Sequence, residues 1–145
     1  SYQLSAGIRS GIEGAIHAVS SMFEEDTNEG LLLVDAANAF NSISRPLALW
    51  NARVYWPRCS RFLFNTYRGF PLILLRQSTT TLLSKEGTTQ GDPLGMLMYA
   101  VGTLKMIKDL KDERWRQNWY ADDASCVGSL DHVRAWFDLL CVQGP

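Results

Sequence analysis

The sequence predicts an α+β domain in which helices pack on one face of a small antiparallel sheet. Three observations lead there. Apolar residues recur at three- and four-residue spacing in residues 8–24, 93–107 and 130–140, the signature of amphipathic helices. Short apolar or aromatic runs at 31–34, 70–76, 79–84, 115–121 and 124–127 read as strands. Four of those five strands come as hairpin pairs, and no linker or repeat divides the 145 residues.

Each element has its own signal. Ile8, Ile12, Ile16, Val19 and Phe23 mark the inner face of the first helix, which Gly11 and Gly14 weaken. Asn28-Glu29-Gly30 is a turn, and Leu31 to Val34 is a buried strand that ends on Asp35. Ser44 is placed as an N-cap with Pro46 in the first turn, so a helix is predicted to about Trp56. Pro57 ends it and starts the next, which closes at Arg68-Gly69. A hairpin around Gln77-Ser78 follows, then a loop from Lys85 to Asp92 with two glycines. Pro93 opens a helix whose inner face is Leu94, Leu97, Met98, Val101, Leu104 and Ile107. A second hairpin places Asp122-Asp123 between its strands. Ser129 caps a last helix with Leu130, Val133, Trp136, Phe137 and Leu140 inward.

The apolar fraction of 46% is enough for a buried core. No apolar run approaches the roughly 20 residues of a membrane span. No basic stretch followed by an apolar one marks the N-terminus as a signal peptide. Cys59, Cys126 and Cys141 are far apart and lack zinc-ligand spacing with His17 or His132. They read as reduced, mostly buried thiols of an intracellular protein, nuclear or cytoplasmic.

The net charge of −1 speaks against a polyanion partner, but its distribution does not. Residues 36–85 contain no Asp or Glu and carry Arg45, Arg53, Arg58, Arg61, Arg68, Arg76 and Lys85. A block of +7 beside a remainder of −8 can steer nucleic acid. Arg45, Arg53, Arg58, Arg61 and Arg68 are therefore candidate phosphate contacts, since arginine forks match phosphate oxygens. The interleaved rings, Trp50, Tyr55, Trp56, Phe62, Phe64, Tyr67 and Phe70, are expected to be core.

Asp35, Asp122 and Asp123 each follow an apolar or aromatic strand, where a carboxylate is costly unless a cation satisfies it. Adjacent carboxylates repel by roughly 4 kcal/mol at about 4 Å and an effective dielectric near 20. Turn chemistry does not select Asp-Asp for a hairpin tip. Mg²⁺ suits such oxygen donors.

Three segments taken together resemble the reverse transcriptase family. Asp35-Ala36-Ala37-Asn38-Ala39-Phe40 is similar to its motif A, Glu86 to Gly95 (with Gln90-Gly91-Asp92-Pro93) to motif B, and Trp119-Tyr120-Ala121-Asp122-Asp123 to motif C. They occur in the family's order and span about two-thirds of the chain. The Ala39-Phe40-Asn41-Ser42 stretch is closest to retroelement enzymes of the non-LTR type. The resemblance implies a palm over residues 31–145 and a fingers remnant over 1–30. It implies two Mg²⁺ ions, or Mn²⁺, held by Asp35 and Asp122, with Asp123 in support and the Ala36 carbonyl as a further oxygen. It implies Phe40 as the ring that excludes a 2′-hydroxyl, and Gln90 and Gly91 beside the incoming nucleotide. The partners implied are an RNA template, a DNA primer and dNTPs.

There are departures. Gly95 stands where many relatives have Ser, and Asn41 where many have Asp. No basic pair for the triphosphate precedes Asp35, and no thumb follows the last helix. The chain is therefore expected to be a fragment that shows no primer extension by itself. Two rival readings remain: an inactive retroelement fragment or domesticated nucleic-acid-binding module, and an RNA-dependent RNA polymerase, which usually carries an Asp where Phe40 stands.

Overall fold

The computed structural model describes residues 9–25 and 29–144. Its elements are α1 (Gly11–Glu25), β1 (Gly30–Asp35), α2 (Ala39–Ser42), α3 (Arg45–Tyr55), α4 (Pro57–Tyr67), β2 (Leu72–Leu74), β3 (Thr81–Leu83), α5 (Gly95–Asp109), β4 (Arg116–Tyr120), β5 (Asp123–Gly128) and α6 (Leu130–Gln143). The fold is mixed α+β: six helices and two small antiparallel sheets, with no barrel among the described residues. The chain forms two compact units, one from Ser1–Ala37 with Thr103–Pro145, the other from Asn38–Gly102.

The first unit is built on a three-stranded sheet of order β1-β5-β4, antiparallel throughout. Side chains alternate between the faces of a strand, so register decides which residues share a face. Leu32 and Val34 pack on one face with Trp119, Ala124 and Cys126, against Ile107, Leu110, Val133 and Trp136 from α5, its following loop and α6. Gln117 ties this core together: its amide donates to the Ile107 carbonyl at 2.9 Å and its oxygen accepts from Trp136 Nε1 at 2.8 Å. Trp115 Nε1 donates to the Leu110 carbonyl at 2.8 Å, so the end of α5 is anchored to the start of β4. The other face carries Leu31, Leu33 and Asp35, with Asp123 and Ser125 opposite them on β5. Here α1 lies against the sheet, and its residues Ile12, Ile16 and Val19 wall a cavity of about 450 Å³ with that face. Helices therefore cover both sides of the sheet, not the single side expected.

The second unit is a helical hairpin with a loop system. Ala48, Ala52, Leu63 and Tyr67 of α3 and α4 enclose Met98 and Val101 of α5. Asn51 is buried and donates to the carbonyls of Val101 and Gly102 at 3.2 and 3.0 Å, which satisfies a polar side chain inside the core. The caps follow the sequence: Ser44 accepts from Leu47 N at 3.4 Å, and Pro57 occupies the first turn of α4. β2 and β3 pair as a short hairpin, with Gln77 at φ +63° in its connection.

Several expectations change. Ile8 and Asn28 lie outside the described residues. Ile12, Ile16 and Phe23 are exposed, because α1 covers the sheet only loosely. Leu130 and Phe137 of α6 also face solvent, while Val133 and Trp136 make its core contact with Leu140 packed beside them as expected. The hairpin of the second unit is shorter than predicted and its leucines are exposed. The rings at Trp50, Trp56, Phe62, Phe64 and Phe70 are not core: Trp50 is 64% and Phe62 57% exposed. Tyr67 is the one ring of that series that is buried. Cys126 is buried as expected, Cys59 half-buried, and Cys141 exposed on α6.

Candidate carboxylate site

Asp35 ends β1 and Asp123 begins β5, and the two are register partners. Directly opposed residues on antiparallel strands hold their Cβ atoms about 5 Å apart on the same face. Asp122 precedes Asp123 in the turn of the β4–β5 hairpin, and its carbonyl accepts from Ala36 N at 3.3 Å. The ladder thus continues one step beyond the last strand pair and fixes the chain after Asp35 against the hairpin turn. Tyr120 pairs with Asp123, so the turn proper is Ala121-Asp122, one residue earlier than the Asp122-Asp123 tip expected. Ala121 has φ +53°, a left-handed conformation that a Cβ disfavours. A strained non-glycine turn residue next to the carboxylates is a feature that composition and periodicity do not reveal.

All three carboxylates lie in the first unit. Asp35 and Asp123 are exposed and Asp122 is half-buried. Partial burial raises the Asp123 pKa above the ordinary carboxylate value, and the negative charges of Asp122 and Asp35 raise it further. Among the described residues no lysine, arginine or histidine forms a salt bridge with any of the three. The carboxylates are neighbours rather than a closed cage: no group of three or more His, Cys, Asp or Glu among the described residues is drawn together as a ligand set. Their chemistry fits a hard divalent cation. The donors are oxygens, and the repulsion felt by Asp123 is what a cation would relieve.

The α1 cavity opens onto the same residues. Asp35, Asp123, Asn118 and Tyr120 line it beside Ile16 and Val19. Trp119 also lines it, and its buried Nε1 has no hydrogen-bond partner among the described residues. Sequence reading did not single out Asn118; only its strand parity with Tyr120 and Asp123 identifies it.

Phe40, Gln90 and Gly91 belong to the second unit. Phe40 is half-buried and its ring meets Tyr99 at 4.6 Å between centroids, tilted by 32°. Its carbonyl accepts from Thr88 N at 2.6 Å, and Ile43 O accepts from Gly87 N at 2.9 Å. The segment carrying Phe40 is thereby laced to the loop carrying Gln90. Gly87, at φ +71°, has no room for a side chain: a Cβ there would lie 2.3 Å from Asn41 O. Gly91, at φ +83°, is exposed with nothing within 4 Å of a Cβ, and Gln90 beside it is exposed too.

Arg45 corrects the expectation of a phosphate contact. It is buried, and its guanidinium donates to Gly87 O at 2.6 Å, to Ser84 O and Oγ at 2.8 Å each, and to Gly69 O at 3.4 Å. Its donors are spent on loop carbonyls, with the group 5.9 Å from the Tyr67 ring centroid. Tyr67 in turn donates to Asp92, whose other oxygen accepts from Leu94 N at 2.9 Å. Burial and the Asp92 carboxylate both push the Tyr67 phenol pKa up. Arg45, Tyr67 and Asp92 form one bracket that holds the 84–94 loop. Arg53, Arg58, Arg61 and Arg68 are exposed.

No protein-family model, curated protein or solved structure matches the chain.

Proposed function

We propose that the chain is the palm of a reverse transcriptase of the retroelement, non-LTR-like type, an RNA-directed DNA polymerase that extends a DNA primer on an RNA template. The observation that carries this reading is the register of Asp35 with Asp123, with Asp122 beside them in the turn. It joins two sequence segments that lie far apart in the chain, each of which resembles a polymerase motif.

In this reading Asp35 and Asp122 hold two Mg²⁺ or Mn²⁺ ions, with Asp123 in support and the Ala36 carbonyl as an additional donor. Bound there, the ions would neutralise charge on the attacking and leaving oxygens of a phosphoryl transfer. The primer 3′-hydroxyl attacks the α-phosphate of a dNTP, and pyrophosphate leaves. The protein's own part is positioning. The hydrogen bonds from Ala36 to Asp122 and along β1 and β5 keep the carboxylates at fixed strand ends. The Arg45, Tyr67 and Asp92 bracket holds the loop that presents Gln90 and Gly91 to a nucleotide. Phe40, braced by Tyr99, supplies the bulk that rejects a ribose 2′-hydroxyl.

Primer extension on an RNA template, in a protein that carries this chain, tests the reading. Extension with dNTPs should disappear in Asp35→Asn and Asp122→Asn. Phe40→Val should admit rNTPs; unchanged rNTP rejection would sink the gate role. Efficient rNTP use by the unaltered protein would favour the RNA polymerase reading. A folded protein that binds nucleic acid but never extends a primer would favour the domesticated binding module.

A further inference from the structure

We propose that the outer face of α4 is a docking surface for single-stranded nucleic acid, bound by base stacking on phenylalanine and phosphate contact with arginine. The nucleic-acid reading above supplies only the class of partner. The surface itself shares no residue with the carboxylate site.

Helix geometry defines the face. Leu63 and Tyr67 are buried against α3 and α5, with Cys59 and Ser60 at the margin, so the inner side of α4 is committed to the core. Successive helical residues turn by about 100°. Arg58, Arg61 and Arg68 therefore run down the middle of the opposite side, over about 15 Å of helix. Phe62 falls on one flank of that stripe and Phe64 on the other. Both rings are half-exposed or more, at 57% and 50%. The Arg68 guanidinium lies 6.0 Å from the Phe64 ring centroid, within cation–π range. No Asp or Glu occurs anywhere from residue 36 to residue 85, so neither α4 nor the elements that adjoin it in sequence, α3 and the β2–β3 hairpin, carry an acid.

The arrangement selects among partners. A membrane-surface helix needs a contiguous apolar face, and the apolar side of α4 is already buried in its own unit. A protein interface of ordinary kind has an apolar centre and a charged rim. Here the charge is central and the rings flank it. A single strand offers both complements at once: a phosphate backbone for the stripe, and unstacked bases for the rings. A duplex keeps its bases stacked inside and would use only the arginines.

The test is fluorescence anisotropy of a labelled oligothymidylate with the 145-residue protein, in EDTA and low salt. Omitting metal makes the result independent of the carboxylates, so failure here and failure of the polymerase reading are separable. The expected result is saturable binding that weakens steeply with salt, and weaker binding of a duplex of equal length. Phe62→Leu with Phe64→Leu keeps the apolar volume and removes the rings; affinity should fall by about tenfold or more. Phe62→Tyr with Phe64→Tyr should bind within about twofold of the unaltered protein, since the phenol ring stacks as well. Both pairs alter exposed positions, and unchanged circular dichroism establishes that they fold. Equal affinity for duplex and single strand, or full affinity in the leucine pair, would overturn the proposal. So would an absence of binding at low salt, or self-association of the protein that the leucine pair retains and oligothymidylate does not disturb.

Discussion

Asp35 and Asp123 face each other across the β1–β5 ladder as its last register pair. The sheet thus brings together carboxylates from the two sequence segments of the first unit, and partial burial, followed by the negative charges of Asp122 and Asp35, raises the Asp123 pKa. A folded-state pKa above the unfolded value means that the folded protein binds the extra proton more readily. The Asp123 contribution therefore destabilises the fold at neutral pH, and this penalty is relieved as pH falls towards the raised pKa.

From this follows the behaviour of Asp123→Asn. In metal-free buffer at pH 7 it should melt slightly above the unaltered protein, by on the order of 1–3 °C for a charge so exposed. The difference should shrink as pH is lowered through the carboxylate range. Calorimetry at several pH values measures it; a lower melting temperature at pH 7 would show that the charge is not repelled.

Gly87 and Gly91 both have positive φ but differ in space. Gly87→Ala drives a Cβ into the Asn41 backbone and should cost about 3 kcal/mol or more, or prevent folding. Gly91→Ala has open space and should cost about 1 kcal/mol, the backbone term alone. Urea denaturation compares them; equal effects would contradict the lacing of Gly87 to the Phe40 segment.

Arg45→Ala removes a buried guanidinium from carbonyls of Gly69, Ser84 and Gly87 and should destabilise by about 2–4 kcal/mol. Arg61→Ala, on the surface, should change stability by about 0.5 kcal/mol at most. Urea denaturation of both variants reads the difference, and a neutral Arg45→Ala would return Arg45 to the surface.

Burial pushes the Cys126 thiol pKa up to about 12, while Cys141 is exposed. The thiolate is the reactive form. A thiol reagent at pH 8 should therefore label Cys141 quickly and Cys126 only after unfolding. Peptide mapping of the labelled protein checks this; rapid native labelling of Cys126 would contradict the core of the first unit.

What could be read in the sequence was local. Ser44, Pro57 and Ser129 announce helix boundaries because their chemistry acts within three residues. The helix periods locate α1, α5 and α6, while Ser44, Pro46, Pro57 and Gly69 bound α3 and α4, and Asp35 announces itself as a polar end to an apolar strand. What escaped depends on distant partners. That Arg45 is buried follows from carbonyls up to 42 residues away, so its charge alone pointed to the surface. The Tyr67–Asp92 bond and the Phe40–Tyr99 contact have no periodic signal. α2, a single turn entered through Asn38 at φ +56°, is too short for one. Composition alone places the aromatics of α3 and α4 in the core, because it ignores that Phe62 and Phe64 lie on the flanks of α4, away from the buried Leu63 and Tyr67.

A polymerase palm requires the carboxylates of Asp35, Asp122 and Asp123 to act together on divalent metal. Calorimetric titration of the folded chain with Mn²⁺, beside melting curves with and without millimolar Mg²⁺, tests that most directly. The expected result is saturable Mn²⁺ binding, a melting temperature that rises with Mg²⁺, and loss of both in Asp35→Asn and in Asp122→Asn. A well-folded protein that binds no Mn²⁺ and melts at the same temperature with and without Mg²⁺ would contradict it.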